Sequence, residues 1–407
     1  MNKPLNDILA VDFSQFLSGP SASLRLADLG ARVIKIERPE TGDISRHMYI
    51  SDVQMNGASS VFHAINRNKE SYAADLKNPE DLSKILALVH KADIVMHNFR
   101  PGVMERLGLD YETLKKINNN IIYGEISGYG TQGPWENKPG QDLLLQALSG
   151  MCFLSGNADM APVPMGISLV DIATGGHLVQ GLLACLVRRA VTGQGGLVQV
   201  SMLESACDLQ FESLTCYYND GHQLPQRTIK NNANPYLGAP YGIYKTADGY
   251  LSIAMTAVDK LGILIHCQKL TKYTDPAGWF TFREQIKAIL SAHLLTQNTS
   301  HWLQLLEPAD IWCAPVQSWR ELLAEQSLHN TKMTQMVTMQ DGYQFETTCC
   351  PIRLNGELLT SQKGTPALGQ DNLRINSALL TDNAPEKAKN ILNEVNKDVV
   401  NNVIKDV

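Results

Sequence analysis

Ile8-Leu9-Ala10-Val11-Asp12-Phe13, a turn through Ser14-Gln15-Phe16-Leu17-Ser18-Gly19-Pro20, a run from Ser21 to Leu29, and Arg32-Val33-Ile34-Lys35-Ile36-Glu37 read in order as strand, turn, helix and strand. The rhythm continues downstream. A helix is expected over 79–90, strands over Ala92-Asp93-Ile94-Val95-Met96 and Ile121-Ile122-Tyr123-Gly124-Glu125-Ile126, and a further strand over Gly196-Leu197-Val198-Gln199-Val200-Ser201. That last strand leads into a helical pattern through Leu203, Ala206, Leu209 and Leu214. Strands alternating with helices imply an α/β fold, a parallel sheet with helices on its faces.

Within this frame, Gly166-Ile167-Ser168-Leu169-Val170-Asp171-Ile172-Ala173-Thr174-Gly175-Gly176-His177 sets one acidic side chain between an apolar, strand-like run and a helix start. Leu178, Val179, Leu182, Leu183, Leu186 and Val187 then recur at the spacing of a helix buried on most of its surface. Arg188 and Arg189 suit the negative end of that helix, and Gly193 is its stop signal. On pattern alone Asp171 is an N-cap. Two adjacent glycines in the first turns, however, cost about 1 kcal/mol each relative to alanine. Capping does not explain that cost and ligand approach would, so both roles stay open here.

Composition sets the outer bounds. A chain of 407 residues with 44% hydrophobic residues exceeds what one core usually serves, so two or more domains are expected. A net charge of −6 and a pI near 5.9 argue against bulk nucleic-acid affinity. The apolar stretch 8–11 is too short for a signal peptide, and eighteen apolar residues nowhere follow one another, so neither secretion nor a membrane partner is expected. The eight cysteines are scattered except for Cys349-Cys350, with no zinc-ligand spacing, and read as thiols of a reducing, cytoplasmic setting.

Composition shifts near residue 222. Residues 223–239 are rich in Pro, Asn, Gln and Gly and mark a linker. Tyr241-Gly242-Ile243-Tyr244-Lys245 and Gly249-Tyr250-Leu251-Ser252-Ile253-Ala254 then read as a hairpin across Thr246-Ala247-Asp248. Helices are expected over 260–270, 279–295 and 300–306. The reading is therefore a large α/β domain over 1–222, a small α+β domain over 223–327, and a segment 328–407 that returns to the large domain and carries a terminal amphipathic helix at 387–404.

The strand-helix-strand unit at 8–37 superficially suggests a dinucleotide site, but its turn holds one glycine where that route needs Gly-x-Gly-x-x-Gly. No phosphate loop, nucleophile elbow or His-Glu-x-x-His motif is present, so no metal site is expected. Cationic and aromatic residues remain at the strand ends. Arg38 follows the second strand, Asn98-Phe99-Arg100-Pro101-Gly102 follows the Ile94 strand, and Arg106 lies beyond. Ligands gather at the carboxyl ends of an open parallel sheet, and arginines with an aromatic ring suit a nucleotide bearing several phosphates.

These pieces sit among others in a definite order. Gly19-Pro20 precedes Leu29-Gly30-Ala31-Arg32-Val33-Ile34-Lys35-Ile36-Glu37-Arg38-Pro39 and Gly42-Asp43; Ala92-Asp93-Ile94-Val95 precedes Asn98-Phe99-Arg100-Pro101-Gly102 and Leu107-Gly108. Ser127-Gly128-Tyr129-Gly130, Gly133-Pro134, Gln146-Ala147-Leu148-Ser149-Gly150, Asp171 with Gly175, and Arg189-Ala190-Val191-Thr192-Gly193-Gln194-Gly195 follow. In order and spacing the chain resembles the class III coenzyme A transferases, which include formyl-CoA:oxalate and carnitine CoA-transferases, and the related 2-methylacyl-CoA racemases. The resemblance covers nearly the whole chain.

It implies a large domain with a Rossmann-like parallel sheet, a smaller α+β domain, and an interlocked homodimer. It also implies CoA transfer from an acyl-CoA thioester to a small free carboxylic acid, with the thioester as co-substrate and no tightly bound cofactor. Asp171 matches the aspartate that attacks the thioester, and CoA is then placed against Gln15, Phe16, Leu17, Ser18, Arg38, Ala74, Asp75, Leu76, Lys77, Asn98, Phe99, Arg100, Arg106, Pro139, Gly140, Gln141 and Asp142. Gln15 and Leu17 stand where the formyl-CoA enzyme has His and Gln, which puts oxalate-type specificity in doubt. The racemase branch has a His where Gln141 stands, and an amide carries no proton between faces. A catalytically silent CoA-binding protein, with Asp171 a plain cap, is the remaining alternative. The acyl pair itself is not legible in the sequence.

Overall fold

The computed structural model describes residues 3–48 and 53–380. Strand β1 (Leu9–Asp12), helix α1 (Ser18–Asp28) and strand β2 (Arg32–Glu37) form the expected parallel unit. Helix α1 begins three residues earlier than the pattern suggests, because Pro20 falls in its first turn, where a missing N–H breaks no helical bond. Strand β3 (Glu70–Ala73), helix α2 (Pro79–Lys91), strand β4 (Ile94–His97) and strand β5 (Ile122–Ser127) follow. Helix α3 (Asp142–Leu148), helix α4 (Leu169–Thr192) and strand β6 (Gly196–Ser201) complete the layer. All neighbouring strands are parallel, in the order β3-β2-β1-β4-β5-β6.

Side chains alternate between the two faces of such a sheet. On one face Val11, Phe13, Ile34, Ile36, Val95 and Tyr123 pack with Leu82, Ile85, Leu86 and Val89 of α2 in an apolar core. On the other lie α1 and α4, which pack along each other, with α4 also against β5 and β6. Helix α4 is long and apolar enough, at a mean hydropathy of 1.5, to cross a membrane on length and composition alone. Here it lies against the sheet, with Leu178 and Leu182 over Gly124. No strand leads into it: residues 166–167 form a bend, Ser168 is the N-cap and the helix starts at Leu169, so the strand-like reading of Ile167 to Val170 is corrected.

The chain divides into two compact units. One holds the residues up to Leu145, Ser168–Ala206 and the described residues from Thr331 on; the other holds Gln146–Ile167 and Cys207–Asn330. In the second unit β7 (Gly242–Lys245) and β8 (Tyr250–Ile253) form the expected hairpin, joined by a third antiparallel strand, β9 (Cys313–Pro315). The helices Val258–Leu264, Arg283–Leu294 and Thr299–Leu306 close its core around Tyr244, Leu251, Leu290 and Trp302. The single helix expected through Leu203 and Leu214 is instead two, Met202–Asp208 and Phe211–Asn219. From Thr331 the chain is more regular than its composition suggests: Thr334–Thr338 and Gln344–Thr348 pair as a hairpin, and α5 (Asn372–Leu380) follows. The helix expected at 387–404 lies outside the described residues.

Candidate active site

Because every strand of the large sheet is parallel, all their carboxyl ends lie along one edge. Gln15, Phe16, Leu17 and Ser18 leave β1 there, Arg38 leaves β2, and Ala74, Asp75, Leu76 and Lys77 leave β3. Asn98, Phe99, Arg100 and Arg106 leave β4, and Pro139, Gly140, Gln141 and Asp142 end the long excursion that leaves β5. Helix α4 leads into β6 and so starts at the same edge, with Asp171 in its first turn. Arg38, Arg100 and Arg106 are exposed and form no ion pair among the described residues, so three guanidiniums stand available on this rim.

Asp171 is not the N-cap. That position is Ser168, whose side chain makes no capping bond. The cap comes from Asp142 at the start of α3: its Oδ1 accepts from the backbone N–H of Val170 at 2.8 Å and of Asp171 at 3.2 Å. Asp142 is buried and spends an oxygen on this helix, a role that the sequence reading, which set it against CoA, did not contain. Asp171 is left with its carboxylate partly exposed and unneutralised. Burial pushes it up from its ordinary 3.8 to about 7, the negative charge of Asp142 adds to the rise, and a hydrogen bond from the Ser18 side chain opposes it.

The two adjacent glycines of α4, Gly175 and Gly176, do different things. A Cβ on Gly175 would run into Ser21 Oγ and come to 2.7 Å from Ser18 O, so this glycine lets the first turns of α1 and α4 touch. The cost read from sequence as ligand access is, at Gly175, the cost of helix contact. Gly176 faces open space. His177 meets Ser205 Oγ at 3.0 Å, in keeping with a packing role.

Residues 5–372 match CoA-transferase family III. The chain belongs to that family. It is 31% identical over 383 residues to the succinyl-CoA:glutarate CoA-transferase of Mus musculus, covering 92% of this chain and 86% of that one. It is 32% identical over 362 residues to the acetyl-CoA:oxalate CoA-transferase of Acetobacter aceti, covering 87% and 90%. A solved CAIB/BAIF family protein from Brucella suis superposes with a TM-score of 0.81 at 29% identity, over 93% of this chain and all 100% of that one. The protein is an enzyme that transfers CoA.

In this CoA-transferase the loop that leaves β1 is held from below by buried charge. Lys35 Nζ donates to Ser14 O at 2.7 Å and pairs with Asp43 at 2.7 Å; Asp43 Oδ1 in turn accepts from Phe16 N at 3.3 Å. Asp12, opposite Lys35 in the β1–β2 register, accepts from the hydroxyls of Ser14 and Ser23 and faces Lys69 at 3.5 Å. Asn98 clamps the same loop from β4: its Oδ1 accepts from Gln15 N at 2.8 Å and its Nδ2 donates to Gln15 O at 2.7 Å. Gln15 and Asn98, read separately as CoA contacts, are thus bonded to each other. Phe16 sits at φ 64 with its ring exposed. A signal for this network existed in the sequence, since Asp12 and Lys35 are opposite charges each set between two apolar neighbours, Val11 and Phe13, and Ile34 and Ile36.

Proposed function

We propose that this transferase moves CoA from a short acyl-CoA to a dicarboxylic acid by covalent catalysis on Asp171, with CoA lying along the carboxyl edge against the residues read from the sequence. The observation that carries the reading is the Asp171 carboxylate itself, partly buried, held at about 7 and with no cation beside it among the described residues. A hydrated carboxylate is a poor nucleophile, and burial beside Asp142 strips that hydration and raises basicity. One Asp171 oxygen attacks the thioester carbonyl and expels CoA thiolate, giving a mixed anhydride. The thiolate then attacks Asp171 Cγ, the first acid departs as its carboxylate, and an aspartyl-CoA thioester remains. An incoming carboxylate attacks the same Cγ and expels the thiolate, which finally takes the new acyl group from Asp171. No proton is consumed and the thioester energy passes from acid to acid.

The exposed Arg38, Arg100 and Arg106 supply the charge that CoA phosphates need, and Phe99 supplies a ring for stacking. Dicarboxylates are favoured because similar relatives are named for glutarate, oxalate and mesaconate as partner acids. Gln141, exposed and an amide, gives no partner base for racemase chemistry. Incubation with succinyl-CoA followed by hydroxylamine should convert Asp171 to a hydroxamate, read by peptide mass. Asp171→Asn should lose both the adduct and at least about 10⁴-fold in kcat. A wild-type protein that transfers CoA with Asp171 never modified would sink the covalent route, and one that binds acyl-CoA without transfer would be the silent binder.

A further inference from the structure

His97 closes β4, buried, one residue before the turn that carries Asn98, Phe99 and Arg100. Its Nδ1 lies 3.2 Å from the backbone nitrogen of Phe99. A backbone N–H can only donate, so Nδ1 is the acceptor and carries no hydrogen. Burial pushes the imidazole down to about 4, so the ring is neutral at pH 7 and its one hydrogen sits on Nε2. That nitrogen faces Glu125 Oε2 at 3.8 Å, on the neighbouring strand β5. Glu125 is itself oriented from β6, where Gln199 Nε2 donates to its Oε1 at 2.7 Å. His97, Glu125 and Gln199 are register partners across the three strands, so they stand in one row on one face of the sheet. The row fixes the ring from one side, and Tyr123, with its ring centroid 5.4 Å away, meets it edge-on.

The geometry points to His97 as a positioning residue for CoA: through Nδ1 it fixes the backbone of the turn that presents Phe99 and Arg100 to the nucleotide end of the thioester. This rests on the placement of CoA proposed above. The turn is tied at each of its residues. Asn98 is bonded to Gln15 through both amide atoms, the Phe99 N–H is bonded to His97, and Arg100 O accepts from Val103 N at 3.2 Å, where the short helix Val103–Arg106 begins. What remains for a ligand is the exposed Arg100 guanidinium and the part of the Phe99 ring that does not pack on the core. A backbone held in this way meets the ligand with its ordering already done. Without the Nδ1 acceptor the Phe99 N–H loses its partner, the turn gains freedom, and that freedom must be given up each time CoA binds. The cost falls on binding and leaves the chemistry at Asp171 alone.

Two amide substitutions tell the ring nitrogens apart. His97→Asn sets a carbonyl oxygen near the place of Nδ1, whereas His97→Gln reaches toward the place of Nε2 and leaves the Phe99 N–H without that acceptor. His97→Gln should raise KM for succinyl-CoA about three- to tenfold, the worth of one such hydrogen bond, with kcat within about twofold of wild type. His97→Asn should keep KM within about twofold of wild type. Succinyl-pantetheine carries the same thioester without the nucleotide, so its kcat/KM should differ by less than about twofold between wild type and His97→Gln. A KM for His97→Gln equal to that of wild type overturns the role, and so does an equal rise in both variants, which lost packing alone would give. A loss with succinyl-pantetheine as large as that with succinyl-CoA also overturns it, because the substitution would then act on the whole site. Arg100→Ala separates the layers. If it leaves KM for succinyl-CoA unmoved, CoA does not lie against this turn and the placement fails, taking the role of His97 with it. If it raises KM while His97→Gln does not, the placement stands and His97 alone falls.

Discussion

The Asp12–Glu37–Asp43 cluster and Asp171 lie at the same edge of one sheet and are held in opposite states. Burial works against all four carboxylates. In the cluster Lys35 and Lys69 around Asp12, Arg46 and Lys35 around Glu37, and Lys35 around Asp43 outweigh it, helped by serine hydroxyls and backbone N–H groups, and hold the three below their ordinary values. At Asp171 the nearest charge is another carboxylate, Asp142, and the value rises to about 7. Depth does not separate a structural carboxylate from a reactive one here; the sign of the neighbour does. The margin in the cluster is thin, since burial pushes Lys69 down to about 7 despite its carboxylates.

Breaking the cluster should produce the largest effect. Lys35→Met keeps the length of the side chain and removes the cation shared by Asp12, Glu37 and Asp43. Loss of one partner of a buried pair typically costs about 3–5 kcal/mol. Urea unfolding at pH 7 should register a loss of that size, and a loss under about 1 kcal/mol would mean that the charges there are not mutually dependent. The matching change on the reactive side is smaller. Asp142→Asn keeps an oxygen for the Val170 and Asp171 N–H groups and removes the like charge. The inflection in kcat/KM, expected near 7 with activity rising as Asp171 ionises, should move down by about one pH unit. An unmoved inflection would assign the raised value to burial alone.

What was legible in the sequence follows from the range of the forces involved. Apolar runs bounded by turns fixed β1, β2, β4, β5 and β6, and the isolated acid before a buried helix drew attention to Asp171. The cap on that helix was not legible, because Asp142 acts from 29 residues away. Strand β3 was missed for a similar reason. Its Glu70 and Ser71 are polar yet buried, made tolerable by Arg32, Glu37 and Arg374. Its outer edge is covered by side chains: Asp371 and Asn372 accept from the N–H groups of Ser71 and Ala73, 300 and 299 residues on. Gly175 was read by its cost in propensity, but only the crossing of α1 reveals what that cost serves.

The smallest expected effect is also the one whose sign separates the two regions. Asp171 has a folded value of about 7 against an ordinary 3.8, so the folded state binds its proton more tightly than the unfolded state. Stability from this group therefore grows as pH falls through about 7 and is complete below about 4, while above 7 its ionisation weighs on the fold. Asp171→Asn removes that burden. It should raise the melting temperature at pH 8 and leave it nearly unchanged at pH 4. A shift of this size corresponds to at most about 4 kcal/mol, and partial exposure of Asp171 cuts it to about 1–2 kcal/mol, or about 1–2 °C for a chain of this length. The cluster carboxylates run the other way, since their stabilisation is present above their ordinary values and is lost only as pH falls through the lower folded ones. Between pH 8 and 5, then, the cluster carboxylates should be silent, Lys69 at about 7 should titrate alike in both proteins, and the difference between wild type and Asp171→Asn should shrink with falling pH. A constant difference across that window would mean that Asp171 is no harder to ionise than an exposed carboxylate, and the contrast with the cluster would be lost.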